Sequence, residues 1–181
     1  MLRVFVAVPL PARARQHLAL LSGGVPNARW ARPEGLHLTL RFIGDVDYGT
    51  LDDIDAALLA IDGAPFDLSL SGVGVFGASR SKGAHALWAG VEPSPALEAL
   101  RDRVESAVVR SGQPPETRKF SPHVTLAKLR EAPDRHLHAF LQHHALLRIP
   151  GVRVDRFTLF SSHASREGQI YRPEAEYPLE N

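Results

Sequence analysis

Cysteine is absent from all 181 residues. That excludes disulfides, thiol nucleophiles and thiolate metal ligands, and it suits a reducing compartment. A surplus of one charge is missing too: 21 Lys and Arg stand against 20 Asp and Glu, a net charge of +1. A protein that grips nucleic acid over a wide surface carries a larger basic surplus or a basic stripe. The balance leaves room for a small site that takes one phosphate. The basic clusters at Arg13 with Arg15, Arg80 with Lys82, and Arg118 with Lys119 are read as solvated surface. Long apolar runs are also lacking. The opening MLRVFVAVPLPARARQ has too short an apolar stretch for a secretory leader. No later run approaches transmembrane length. The expectation is a cytoplasmic protein with no membrane partner, no obligate protein partner and a monomeric state.

Other signatures are absent as well. There is no Gly-rich turn followed by Gly-Lys-Ser/Thr, which argues against transfer from a nucleoside triphosphate. No paired carboxylates suggest glycosidase work. His136 with His138, and His143 with His144, do not share a helix face, so no metal site is expected from them. No cofactor is implied. What is present is an ordinary mixture of 44% apolar and 23% charged residues, enough to bury a core.

The apolar pattern repeats. Residues 2–8 read as a buried strand. Pro11 opens a helix with the stripe Ala14, Leu18 and Leu21, stopped by Gly23 and Gly24. Residues 36–43 alternate as a strand. Thr50 is placed to cap a helix whose stripe is Leu51, Ile54, Leu58 and Ile61. Residues 66–76 alternate again. The order then recurs. A strand covers 84–91, and Ser94 caps a helix with Pro95 in its first turn. A strand follows at 120–129. Asp134 caps another helix, with Leu137, Phe140 and Leu141 on one face. A closing strand covers 152–160, and a short one lies near Ile170 and Tyr171. Beyond it, Tyr177 and Leu179 are placed to anchor a polar tail. The fold expected is α+β: a single bilobal domain over 1–181, with approximate halves 1–80 and 81–181. Two antiparallel sheets line a central cleft and the helices lie outside. The loop at 110–118 reads as flexible or substrate-facing.

On the middle strand of each half stands the same tetrad, His37-Leu38-Thr39-Leu40 and His123-Val124-Thr125-Leu126. One His-x-Thr on a strand is weak evidence. Two at matched places in a repeated plan are not. Strand residues alternate faces, so the leucines and valine suit the helix side and the His and Thr suit the other. A two-fold relation brings both pairs to one cleft. Two imidazoles make an acid–base pair near neutral pH, and two hydroxyls can donate to non-bridging oxygens. A phosphodiester fits that set, because in-line displacement puts attack and departure on opposite sides of phosphorus. Alternation places Arg41 with His37 and Thr39. It places Lys128 away from His123 unless a bulge turns it inward. Phe42 and Phe120 read as core, Trp30 is a candidate for the cleft rim, and His163 a candidate to approach from the last loop.

The chain resembles the two-histidine (2H) phosphoesterase superfamily, and within it the RNA 2',3'-cyclic phosphodiesterases historically called 2'-5' RNA ligases. The resemblance is carried by RVFVAV, HLTLRFIG, LWAGV, FSPHVTLAK and FTLFSS, followed by GQIY and YPL. It implies hydrolysis of 2',3'-cyclic phosphate ends on RNA or small nucleotides to 2'-phosphomonoesters, without metal. It implies His37 as proton donor to the leaving oxygen, His123 as proton acceptor from water, and Thr39 and Thr125 as phosphate-binding hydroxyls. Arg41 and Lys128 are further phosphate-binding candidates. Lys128 stands where family members often carry Arg, and lysine lacks the planar fork. Reversible ATP-independent 2'-5' ligation is an alternative within the same chemistry. A non-catalytic RNA-binding module is an alternative outside it.

Overall fold

The computed structural model describes residues 1–77 and 83–181; the expected Arg80 and Lys82 cluster lies outside them. In chain order the elements are β1 (Leu2–Pro9), α1 (Ala12–Ala19), β2 (Ala28–Trp30), a 3-10 turn (Pro33–Gly35), β3 (His37–Val46), α2 (Tyr48–Leu59) and β4 (Phe66–Phe76). They continue as β5 (Ala86–Val91), α3 (Pro95–Arg110), β6 (His123–Leu129), α4 (Asp134–His143), β7 (Arg148–Val154), β8 (Arg156–Ser165) and β9 (Gly168–Pro178). All pairings are antiparallel.

The helices form where their apolar stripes predict, and each buries its stripe: Ala14 and Leu18 of α1, Ile54 and Leu58 of α2, Leu97 through Val108 of α3, Leu137 and Phe140 of α4. Caps follow the expectation once and depart from it twice. Ser94 Oγ accepts from the Leu97 N–H at 3.1 Å, with Pro95 next. Helix α2 is capped by Asp47, not Thr50: Asp47 Oδ1 accepts from the Thr50 N–H at 2.7 Å. An ionised carboxylate at the positive end of the helix wins the position, and Thr50 becomes the third residue of the helix. Helix α4 begins with Asp134 already inside it, after the extended Pro133, and no side chain caps it.

The strands run β7-β4-β5-β6-β3-β1-β8-β9, with β2 added against β6. Two groups are visible, β7-β4-β5-β6 and β3-β1-β8-β9, and each draws strands from early and late in the chain. A single pairing, Leu38 with Val124, joins them at β3 and β6. The two expected sheets are thus the two halves of one curled sheet. The run 152–160, expected as one strand, divides at Asp155 into β7 and β8. In a flat sheet those strands would stand six intervals apart, roughly 29 Å. One residue bridges only about 3.5 Å. The division at Asp155 therefore requires the curl. The apolar alternation of VRVDRFTLF changes phase there, from Val152 and Val154 to Phe157 and Leu159 across the successive polar residues Asp155 and Arg156, and reading the run as one strand passes over that mark.

The expected short strand near Ile170 is the eleven-residue β9, which takes in most of the tail. Tyr177 and Leu179 are buried, and the Tyr177 hydroxyl donates to Asp55 Oδ1 at 2.6 Å, tying β9 to α2. On β5 the Trp88 ring lies across Gly74 of β4, where a Cβ would sit 2.3 Å from the ring. Only glycine leaves that space. Gly74→Ala is expected to displace Trp88 and lower unfolding free energy by about 1–3 kcal/mol. Urea titration with near-UV circular dichroism checks both, and an unchanged Trp88 signature would contradict the packing described.

Candidate active site

The seam between the half-sheets assembles the site. Leu38 and Val124 are fully buried on the helix side, so their neighbours His37, Thr39, His123 and Thr125 face the other way. Antiparallel register around Leu38 and Val124 puts His37 in the row of Thr125 and Thr39 in the row of His123. The two histidines are then diagonal neighbours, about 7–8 Å apart in an ideal ladder. Their charges interact, since His123 contributes to depressing the His37 pKa.

Each ring is held in the same way. His37 Nδ1 donates to the Gly35 carbonyl at 2.7 Å, and His123 Nδ1 donates to the Ser121 carbonyl at 2.7 Å. A carbonyl can only accept, so Nδ1 carries the proton in both rings. Nε2 is left in each as the exchangeable position. It is a lone pair in the neutral ring and a donor in the cation.

The surroundings differ. His37 packs against Phe5 at 4.9 Å and edge-on to Tyr171 at 5.0 Å, between ring centroids. Phe76 meets His123 edge-on at 4.8 Å. Burial pushes the His37 pKa below its ordinary 6.5; the Gly35 carbonyl opposes this and the neighbouring His123 adds to it. These aromatic walls were not anticipated from sequence. Each comes from a strand remote from its histidine, so local periodicity carries no sign of it.

Two bulges at equivalent places finish the site. Ala7 pairs with Thr39 but Val6 pairs with Arg41, which leaves Leu40 as an extra residue. Trp88 pairs with Thr125 but Leu87 pairs with Ala127, which leaves Leu126 extra. A bulge sets two successive residues on one side and flips the alternation beyond it. Arg41 therefore leaves the face of Thr39, contrary to the expectation from alternation. It is buried, ion-paired with Glu105 of α3, and donates to the Pro114 carbonyl at 2.6 Å. Glu105 also accepts from the Glu116 N–H at 3.0 Å. The loop at 110–118 is thus anchored by Arg41. The second bulge has the opposite consequence for Lys128, which turns onto the face of Thr125 and joins His37 and Thr125 in the wall of a cavity of about 300 Å³. Phe42 is the first-half counterpart of Lys128. It is 44% exposed, so it is not core.

Trp30 lines the same cavity, as the rim expectation has it. Phe120 is half-buried under the Arg101 guanidinium, 5.3 Å from its ring centre. His163 does not approach the cleft. Its Nε2 meets Ser161 Oγ at 2.8 Å, and Ser161 is buried and paired with Val4 on the helix side. Because the Ser161 hydroxyl gives its proton to Glu174, His163 must donate to Ser161 and is no base for it. Among the described residues no cluster of three or more His, Asp or Glu could hold a metal. No helix there is long and apolar enough to cross a membrane.

The model of the 2'-5' RNA ligase superfamily matches residues 6–166. The chain belongs to this family. Similar curated proteins of the family include the RNA 2',3'-cyclic phosphodiesterase of Aeropyrum pernix, 35% identical over 168 residues, 89% of this chain and 90% of that one. The Geobacillus stearothermophilus protein of the same name is 36% identical over 130 residues, covering 68% of this chain and 41% of that protein's length. In solved structures, E. coli LigT complexed with 3'-AMP superposes with a TM-score of 0.77 and 28% identity over 99% of each chain. The matched span includes both His-x-Thr-Leu tetrads, on β3 and β6.

Two measurements check the geometry. Arg41→Met leaves Glu105 buried without its partner and is expected to cost about 3 kcal/mol of stability. The KM for a cyclic nucleotide should stay unchanged, because Arg41 is off the cleft face; a raised KM in folded protein would return Arg41 to the site. His123→Gln removes a like charge, so the His37 pKa, followed by NMR titration, should rise. It should stay below 6.5, because burial is the larger cause of its depression. A fall on substitution would mean the two rings do not share one field.

Proposed function

We propose that the chain is an RNA 2',3'-cyclic phosphodiesterase in which His37 and His123 are the acid and base. The observation that carries this is the matched fixing of two imidazoles by their own i−2 carbonyls, with neither Nε2 hydrogen-bonded among the described residues. A water approaches phosphorus on the His123 side, and His123 Nε2 takes its proton as the new P–O bond forms. The P–O3' bond breaks opposite, and His37 Nε2–H delivers a proton to O3'. The product is a 2'-phosphomonoester. His37 ends neutral and His123 protonated, and exchange with solvent resets them.

Thr39 and Thr125 donate hydroxyl hydrogens to the non-bridging oxygens, and Lys128 adds a positive charge beside Thr125. Burial favours neutral His37 in the empty cleft. A bound phosphodiester anion opposes that effect and stabilises the proton that the acid needs. With an RNA 5' hydroxyl in place of water, the same displacement opens the cyclic phosphate to a 2'-5' linkage, His123 taking the hydroxyl proton and His37 protonating O3'; this is the ligase alternative. We assign the chain to the cytoplasm, where the absence of cysteine is suitable, and to the monomeric state.

The test is turnover of adenosine 2',3'-cyclic phosphate by purified protein in chelator, with product identification. The expected product is the 2'-phosphate. A 3'-phosphate would reverse the leaving group, and no turnover of cyclic nucleotides or cyclic-ended RNA would leave the binding-module reading. His37→Ala and His123→Ala should each lose about 10²–10⁴-fold in rate while remaining folded. With a p-nitrophenyl leaving group, which departs without a proton, His37→Ala should recover and His123→Ala should not. The opposite pattern exchanges the two roles.

A further inference from the structure

The cavity beside His37 and Thr125 extends well past them. It runs under β2 to the turn between β8 and β9, and its far wall carries Arg29 and Arg32 as well as Lys128. A lone cyclic phosphate does not require that length or that charge.

Arg29 and Lys128 are directly paired across β2 and β6. Like charges set opposite each other in a ladder repel, and neither has an acidic partner among the described residues. Arg32, two residues past β2, is ion-paired with Glu167 in the β8–β9 turn. That pair is open to solvent, with Glu167 79% exposed, so it holds weakly. A phosphate could take the guanidinium from Glu167, since its oxygens match the planar fork and carry more charge. The same lining carries Glu34 and Glu167, so the cavity is not uniformly basic; what sets it apart is that Arg29 and Lys128 face it with no acidic partner among the described residues, while Arg32 has only the exposed Glu167.

Their position relative to the dyad gives them a meaning. Because of the bulge at Leu126, Thr125 and Lys128 span only the two intervals from Trp88 to Ala86 on β5, about 7 Å at the strand rise. Side chains from the Arg29 and Lys128 row can thus reach the far end of one nucleotide whose cyclic phosphate sits at His37. We propose that Arg29 and Arg32 form a second anion subsite that takes the 5'-phosphate of the reacting nucleotide, making an RNA end a better substrate than a free cyclic nucleotide. The inference rests on the cyclic phosphodiesterase reading above. Glu167 is the resident counter-ion that the incoming phosphate displaces from Arg32.

Adenosine 2',3'-cyclic phosphate with and without a 5'-phosphate isolates this one group. The quantity read is the ratio of the two kcat/KM values. In the unaltered protein the ratio should favour the 5'-phosphorylated compound on the order of tenfold, the size of one charge-assisted hydrogen bond, and should shrink as KCl is added. It should fall toward one in Arg29→Ala and Arg32→Ala. It should rise in Glu167→Gln, which frees Arg32. Arg32→Ala and Glu167→Gln break the same ion pair, so a merely structural role would move the ratio the same way in both, and that result would overturn the proposal. So would a ratio of one in the unaltered protein, as expected if the cavity takes the base instead. Turnover of neither compound would overturn the phosphodiesterase reading itself and this inference with it.

Discussion

A single backbone pairing, Leu38 with Val124, joins the two half-sheets. The rest of the site depends on it. Both side chains are fully buried against the helices, and that burial fixes which way their neighbours point. A slip of one residue in either strand would carry a histidine to the helix side and a leucine or valine to the cleft. The hydrophobic effect thus aims the proposed catalytic groups indirectly. It selects the face of Leu38 and Val124, and the pleat does the remainder.

The second constraint is local. An imidazole on a cleft wall has two nitrogens and two rotational settings, and acid–base work needs one of each. In both halves the carbonyl two residues back settles the choice by accepting from Nδ1. Such a bond needs no partner from elsewhere in the fold. It also requires no acidic residue next to the ring, and at His37 burial then favours the neutral form, whose Nε2 is a lone pair.

Much of this was legible in the chain, and the failures have one form. Helix faces and strand positions follow from period, and the paired His and Thr follow from repetition. What period cannot reveal is a change of phase. The bulges at Leu40 and Leu126 each add one residue without any Gly or Pro to mark it, since a buried leucine is acceptable in either setting. Simple alternation consequently placed Arg41 in the site, Phe42 in the core and Lys128 outside, and all three positions are exchanged in the fold. The break at Asp155 is also a change of phase, marked in the chain by two successive polar residues, Asp155 and Arg156, that a reading by period alone runs over. Phe5, Phe76 and Tyr171 escaped notice because their contact with the histidines is made across strands, not along them.

The equivalence of the two halves stops at the side chains beyond the bulges. Position for position, Phe42 corresponds to Lys128 and Ala7 to Trp88, through their pairing with Thr39 and Thr125. One half thus presents an aromatic edge and the other a cation. His37 lies deeper among rings, and burial lowers its pKa. A perfectly symmetric pair of imidazoles would titrate as a coupled pair with no assigned donor. Unequal surroundings distinguish the two rings, with burial holding His37 toward its neutral form. The repeated plan supplies two similarly held imidazoles on a common scaffold, and it is the asymmetry around them that distinguishes acid from base in the proposed reaction.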